Sequence, residues 1–245
     1  MKKIVIINGS TRKKNTYKAL VNIAELLKDF EVEIINIKDY NISHCVGCEN
    51  CLWHGTCNIK DEADLVLNKI KEADGIVIGT PVYLRQISGY LKTLIDRGCS
   101  WYHRSPLNGK PILFLTSTQA TGSKQTAKYL EDLSVQWGTI HTGTISKTAF
   151  NSDKPILQKE VKKFIKYLSS ENLKKYRPTF KQIYEFNTQK VLAVNIIEKD
   201  LEYWTEKGYI NAPYFYNCKI NPFYRFVGFL YYKMLTMIIV KNINK

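Results

Sequence analysis

Acidic side chains are scarce in this 245-residue chain: 22 Asp and Glu stand against 36 Lys and Arg, a formal charge of +14. The surplus is uneven. Residues 1–150 carry 19 basic and 14 acidic side chains, residues 151–245 carry 17 and 8. Such a balance suits nucleic acid, an anionic membrane surface, an acidic protein partner or a lysine-rich proteome. No helix-turn-helix, zinc-finger or RNA-binding signature is present, which sets nucleic acid aside. No leader is expected either. The first apolar run, Ile4 to Ile7, is far too short for a signal peptide and reads as a strand. The expected compartment is therefore the reducing cytosol, where clustered cysteines point to metal or redox chemistry rather than disulfides. No internal repeat is visible. With 44% hydrophobic residues the chain can bury a sizeable core and is not disordered.

What is present begins with a regular alternation. Lys3 to Ile7, Glu31 to Ile37, Gly75 to Gly79, Pro111 to Ser117 and Thr139 to Ser146 read as strands, several of them continuous apolar runs of the kind buried on both faces. Between them lie helical patterns over Asn15–Lys28, Asp61–Glu72, Ser88–Arg97 and Lys124–Trp137, with Lys154–Leu168 closing the series. In the second of these, Leu65, Val66, Lys69 and Ile70 fall on the expected core face. Strand–helix alternation implies βαβ units and a parallel sheet. Five strands fit a flavodoxin-like order, 2-1-3-4-5, a three-layer α/β sandwich with ligands at the C-terminal strand ends. The domain expected is 1–168.

Residues 169–245 differ in character and are expected to form a helical, aromatic-rich extension. Gln182 to Lys207 reads as helical, ending at Gly208, and twelve aromatics crowd residues 201–232. Phe226 to Val240 is apolar but too short for a comfortable membrane span of about 20 residues. Packing on its own domain, packing against a second copy, and peripheral contact with anionic lipid through Lys219, Arg225, Lys233 and Lys241 all remain open.

Three loops follow strand ends. The first, Ser10-Thr11-Arg12-Lys13-Lys14-Asn15-Thr16, joins a strand to a helix and is rich in hydroxyl and basic groups, an arrangement that suits an anion at the helix N-terminus. It is neither a G-x-G-x-x-G loop nor a P-loop. Asn15 or Thr16 also reads simply as a helix cap. The second is Thr80-Pro81-Val82-Tyr83, where a fixed φ and a flat aromatic could form the wall for a ring, or an ordinary turn. The third, Ser117-Thr118-Gln119-Ala120-Thr121-Gly122, is small and polar, with Gly122 allowing close backbone approach. Asp96 beside Arg97 reads as a structural ion pair. Cys45, Cys48, Cys51 and Cys57 form a C-x2-C-x2-C-x5-C run in a single loop. Four thiolates so close can close a ligand set, and the tight first three resemble cluster-binding ferredoxins. Zinc sites usually show two separated pairs. A cluster, free or structural thiols, and zinc remain as readings. His44 and His54 read as exposed loop residues, Cys99 and Cys218 as isolated packed thiols.

Residues 1 to about 150, through Gly9-Ser10-Thr11-Arg12, Asn15-Thr16, Asp74-Gly75, Thr80-Pro81-Val82-Tyr83 and Lys92 to Arg97, resemble the NAD(P)H-dependent FMN reductases of flavodoxin-like fold. With the cysteine run, they are similar to the iron–sulfur flavoprotein branch. The resemblance implies FMN held by its phosphate on Ser10, Arg12, Asn15 and Thr16. It places the isoalloxazine against Thr80, Pro81, Val82 and Tyr83, whose backbone N–H groups would face its polar edge. Ser117, Thr118, Gln119 and Gly122 would supply the remaining flavin loop. It further implies NAD(P)H as hydride donor and a [4Fe–4S] cluster on Cys45, Cys48, Cys51 and Cys57. Electrons would leave to a small, quinone-like acceptor or to a ferredoxin-like protein, from a homodimer or homotetramer. A non-enzymatic electron carrier is the alternative, and a flavin-fold protein that has lost its cofactor a third.

Overall fold

The computed structural model describes residues 1–243 of the chain. Five strands, β1 (Lys3–Asn8), β2 (Glu31–Asn36), β3 (Gly75–Pro81), β4 (Pro111–Ser117) and β5 (Ile140–Lys147), form one sheet in the order β2-β1-β3-β4-β5. Every pairing is parallel. The fold is flavodoxin-like, as the strand–helix alternation predicts. The inner strands explain their composition: β3 is buried at all seven positions, and only the first residue of β1 escapes full burial.

The connections supply the helices α1 (Asn15–Leu26), α2 (Asn50–Trp53), α3 (Ala63–Glu72), α4 (Gly89–Arg97), α5 (Ser123–Gln136) and α6 (Gln158–Tyr167). On one face Val66 and Ile70 of α3, Leu91 and Leu94 of α4, and Leu130 of α5 pack on Val5, Ile7, Ile76, Ile78 and Phe114. On the other, Leu20 and Ile23 of α1 and Val161 and Phe164 of α6 pack on Ile4, Ile6, Val77 and Leu113. Gly79 lets α1 approach β3, since a Cβ there would lie 2.7 Å from Leu20. The core arc of α3 is Ala63, Val66 and Ile70. Leu65 is exposed and Lys69 pairs with Glu33 of β2, so these two leave the core face expected of them.

The C-terminal extension contains α7 (Ser170–Leu173), α8 (Phe180–Asn195), α9 (Glu198–Glu206) and α10 (Pro222–Ile243). The single helix expected over 182–207 is two. Thr179 and Gln182 form a reciprocal cap that starts α8 earlier, and the chain breaks at Ile196 and Ile197. Ile183, Phe186, Trp204, Tyr214 and Phe215 make a separate aromatic core, which explains the density of rings in this stretch. This core is tied to the sheet domain: Trp204 Nε1 donates to the carbonyl of His103 at 2.8 Å, Gln189 Nε2 to that of Gln136 at 2.8 Å and Gln182 Nε2 to that of Thr139 at 3.3 Å.

Candidate functional site

The C-terminal ends of β1, β3, β4 and β5 open into a cavity of about 510 Å³. Ser10, Arg12, Asn15, Thr16, Pro81, Val82, Tyr83, Ser117, Thr118 and Gln119 line it, so ten of the twelve cofactor residues expected from the sequence come together. Thr80 and Gly122 stand behind the lining. Thr80 is fully buried, its Oγ1 accepting from the N–H of Ser88 at 3.0 Å and donating to the carbonyl of Pro81 at 2.9 Å. Gly122 has φ +100° and meets Val82 and Arg85 closely, so its freedom serves loop packing. Lys14 and Ala120, within the first and third loops, also line the cavity, as do Lys147, Thr148 and Ser152, which escaped the sequence reading. The position of Lys147 and Thr148 at the end of β5 was the available signal.

The first loop shapes itself. Asn8 Oδ1 accepts from the N–H of Ser10 at 3.1 Å, and Ser10 Oγ accepts from the N–H of Arg12 at 3.2 Å. Neither Asn15 nor Thr16 caps α1. The cap position is Lys14, with no side-chain cap bond, so the first-turn amides are left for an anion. Thr16 is instead buried, its Oγ1 2.7 Å from Ser117 Oγ, which bolts the first loop to the third. Three cations (Arg12, Lys14 and Lys147) and no carboxylate line the cavity. That donor set fits a phosphate dianion. The second loop departs from expectation. The N–H of Val82 donates to the carbonyl of Ser117 at 2.8 Å and that of Tyr83 to Gln86 at 2.9 Å, so neither is free for a ring edge. Leu84 and Arg85, at φ +49° and +64°, make the tight turn that returns Gln86 to Tyr83, and Tyr83 itself remains about half exposed at the cavity.

The cysteine loop packs at the C-terminal part of α4. Arg97 pins both of its ends: Nη1 contacts Asp61 Oδ2 at 2.6 Å and the carbonyl of Ser43 at 3.2 Å, and Nη2 donates to Ile59 at 3.0 Å. Asp61 also accepts from the N–H of Ser43 at 2.8 Å. Burial pushes the Asp61 carboxyl up, but Arg97 and the amides of Ser43 and Ala63 prevail and hold it well below the usual carboxylate range. The neighbours Asp96 and Arg97 are therefore not a pair, since Asp96 binds Lys92. His54 is exposed; His44 is also exposed but places Nδ1 2.9 Å from Thr93 Oγ1.

Cys45, Cys48, Cys51 and Cys57 line one small cavity of about 70 Å³, joined by Cys99. Cys99 Sγ lies 3.5 Å from Cys51 Sγ, so it is no isolated thiol. Burial, and then the neighbouring Cys51 and Cys45, push its thiol up to about 12. Among the described residues no three His, Cys, Asp or Glu converge on a single metal ion. The donor chemistry nevertheless fits an iron–sulfur cluster, which takes thiolates spread over several irons. Arg97, lining the same wall, keeps Nε buried without a partner, a donor placed among sulfurs.

Residues 2–154 match the sequence profile of the NADPH-dependent FMN reductases. The chain belongs to that family. Its chemistry is accordingly FMN-dependent oxidoreduction. Among relatives, an iron–sulfur flavoprotein of Clostridioides difficile is 31% identical over 84% of this chain and 99% of its own. An Archaeoglobus fulgidus iron–sulfur flavoprotein is 50% identical over 97 residues, 39% of this chain; there this reductase-family chain spans about half (48%) of the relative's length. Solved structures agree on the fold. RosB, with bound 8-demethyl-8-formylriboflavin-5'-phosphate, superposes with a TM-score of 0.57 at 15% identity over 86% of this chain and 88% of its own. An azoreductase from Bacillus anthracis gives 0.51 at 19% identity over 71% and 97%.

Proposed function

We propose that this chain takes hydride from NAD(P)H on FMN bound in the large cavity, and passes electrons to a small quinone-like acceptor or, through a [4Fe–4S] cluster on the cysteine loop, to a ferredoxin-like protein. The observation that carries the reading is the cavity itself: an uncapped helix N-terminus and three cations, with no carboxylate, beside the flat wall of Pro81 and Tyr83. When bound there, the flavin supplies hydride acceptance and electron release, and the cluster single-electron transfer. The protein supplies position. Arg12, Lys14 and the first-turn amides of α1 would hold the phosphate, the Thr16–Ser117 contact fixes the first loop against the third, and Tyr83 would form a wall for the ring. Arg97 and Arg104, each paired with a buried carboxylate (Asp61 and Asp200), hold the loop's backbone in place, Arg104 by donating to the carbonyl of Cys51. The likeness to iron–sulfur flavoproteins supports the cluster assignment to Cys45, Cys48, Cys51 and Cys57. A dimer or tetramer in the cytoplasm completes the proposal.

The test is anaerobic purification with flavin, iron and zinc counted per chain, followed by stopped-flow mixing with NADH and NADPH. Flavin with about four irons per chain and rapid bleaching by one nucleotide is the expected result. Flavin without iron assigns the loop to free thiols. Flavin that neither nucleotide reduces, but that reduced ferredoxin does, makes the protein a carrier. The charge of +14 bears on that second reading, because a basic carrier needs acidic partners.

A further inference from the structure

Helix α10 runs 22 residues, Pro222–Ile243, long and apolar enough to cross a bilayer by length and composition, and longer than the apolar run seen in the sequence. One side of it is taken. Gly228 sits so close to Ile183 and Asn187 of α8 that a Cβ would come within 2.8 Å of each, Tyr231 stacks on Tyr184 with ring centroids 4.2 Å apart, and Tyr224 meets Phe180 edge-on. The rest is bare. Phe223, Phe226, Phe229, Leu230 and Met237 are each half or more exposed, Phe226 at 60% and Met237 at 67%. A contiguous apolar face of this kind on a protein surface marks a contact.

Charge says what covers it. After Glu206 the sequence has six Lys or Arg and no Asp or Glu. Arg225 and Lys233 lie within the helix, Lys219 just before it and Lys241 in its last turn. Two copies meeting through this face would bring like charges together, a repulsion with no acidic residue on α10 to relieve it. An anionic lipid surface meets the same side chains with opposite charge and takes the aromatic and aliphatic groups between its headgroups. We propose that α10 seats the protein on an anionic bilayer, lying in the interface rather than spanning it. Spanning would strip α8 from its partner face and carry Lys233, midway along the helix, into hydrocarbon, which is costly for a mid-helix cation. The inference is independent of the flavin chemistry proposed above.

The experiment is flotation of the full, flavin-loaded chain with phosphatidylcholine vesicles, with and without phosphatidylglycerol, at low and high salt. The protein is expected to float with the anionic vesicles at low salt and to release as salt rises, because screening weakens the attraction. The double variant F226E/M237E is expected to partition at least about tenfold less. R225E/K233E is expected to lose the preference for phosphatidylglycerol. Both variants change exposed positions, and unaltered circular dichroism and flavin content show that the fold stands. Protein that stays at the bottom with both vesicle types overturns the proposal, as does flotation indifferent to R225E/K233E. So does a dimer in sedimentation that F226E dissociates without any vesicle binding, which assigns the face to a second copy.

Discussion

Arg12 and Lys14 stand beside an α1 that lacks a side-chain cap, and the two hydroxyls that bridge the loops, Thr16 and Ser117, stand just behind. A charge-assisted hydrogen bond to phosphate is worth about 1.5–3 kcal/mol, less where water screens it. Arg12 is exposed. Arg12→Ala is therefore expected to weaken FMN binding about tenfold, roughly 1.4 kcal/mol, in a fluorescence-quenching titration, and riboflavin binding is expected to change little. Equal loss for riboflavin would move Arg12 off the phosphate. The five thiols allow a second expectation. In iron-free protein, Cys51 and Cys99 are the pair at 3.5 Å, and peroxide is expected to join them first: two thiols yield one disulfide, and the peroxide leaves as two waters. A mass lower by two hydrogens, and a peptide linking the two residues, report it. Cys99→Ser removes that peptide. Cys99 was not legible in the sequence because its contact with Cys51 spans 48 residues and depends on where the end of α4 meets the loop. The engaged amides of Val82 and Tyr83 were hidden for the same reason, since a motif names residues and not the partners of their N–H groups.

Elements were easier to read than contacts. Period and apolar runs yield strands and helices directly, and the five strands and their order follow from strand–helix alternation with right-handed crossovers. The failures are specific. Lys69 has helical spacing with the core residues but sits where Glu33 of the neighbouring strand can neutralise it. Apolar spacing through Ile196 and Ile197 continues across a break, because those residues are apolar on both sides of it. The link between α9 and the cysteine loop carries its own expectation. Asp200 is fully buried, 2.8 Å from His103 Nδ1 and paired with Arg104, which in turn holds the carbonyl of Cys51. Removing one partner of a buried ion pair costs about 3–5 kcal/mol. Asp200→Ala is expected to lower the unfolding free energy by that order, read as a fall in the denaturant midpoint, and to speed alkylation of Cys51. An unchanged midpoint would mean that water replaces the carboxylate freely. Acid acts on the same region through Asp61. Its folded value lies below the unfolded one, so its stabilisation is present above about pH 4 and is lost as pH falls below that. Glu33 and Asp74, also lowered, add to the acid limb. Asp61→Asn is expected to lower stability at pH 7 and to flatten its decline between pH 5 and 3, read from denaturation midpoints.

At the scale of the molecule, the question is whether 1–168 stands alone. The shift in composition near residue 169 is real, and the extension has an aromatic core of its own. Yet the two parts share a boundary of polar and apolar contacts. Trp204 and Tyr203 donate to the carbonyls of His103 and Ser105, Gln182 and Gln189 to those of Thr139 and Gln136, and Phe215 lies against Gly138, whose φ of +62° brings the chain close. A sequence shows a change of pattern but not which surfaces the second pattern covers, and we propose that the limit at residue 168 marks a change of architecture rather than a seam. Two truncations separate these meanings. A chain ending at residue 221 loses only α10, whose apolar face is mostly bare, and is expected to keep its flavin and its melting temperature within a few degrees. A chain ending at residue 168 removes Tyr216 from Gly109, Phe215 from Gly138 and Trp204 from the carbonyl of His103, and the apolar area so uncovered stabilises at about 25 cal/mol per Å². It is expected to bind a hydrophobic dye, melt well below the full chain and lose the ordered position of Arg104. Equal melting temperatures for the 168-residue and 221-residue chains would instead make the extension an independent unit, and the bonds to His103, Thr139 and Gln136 mere contacts between two finished folds.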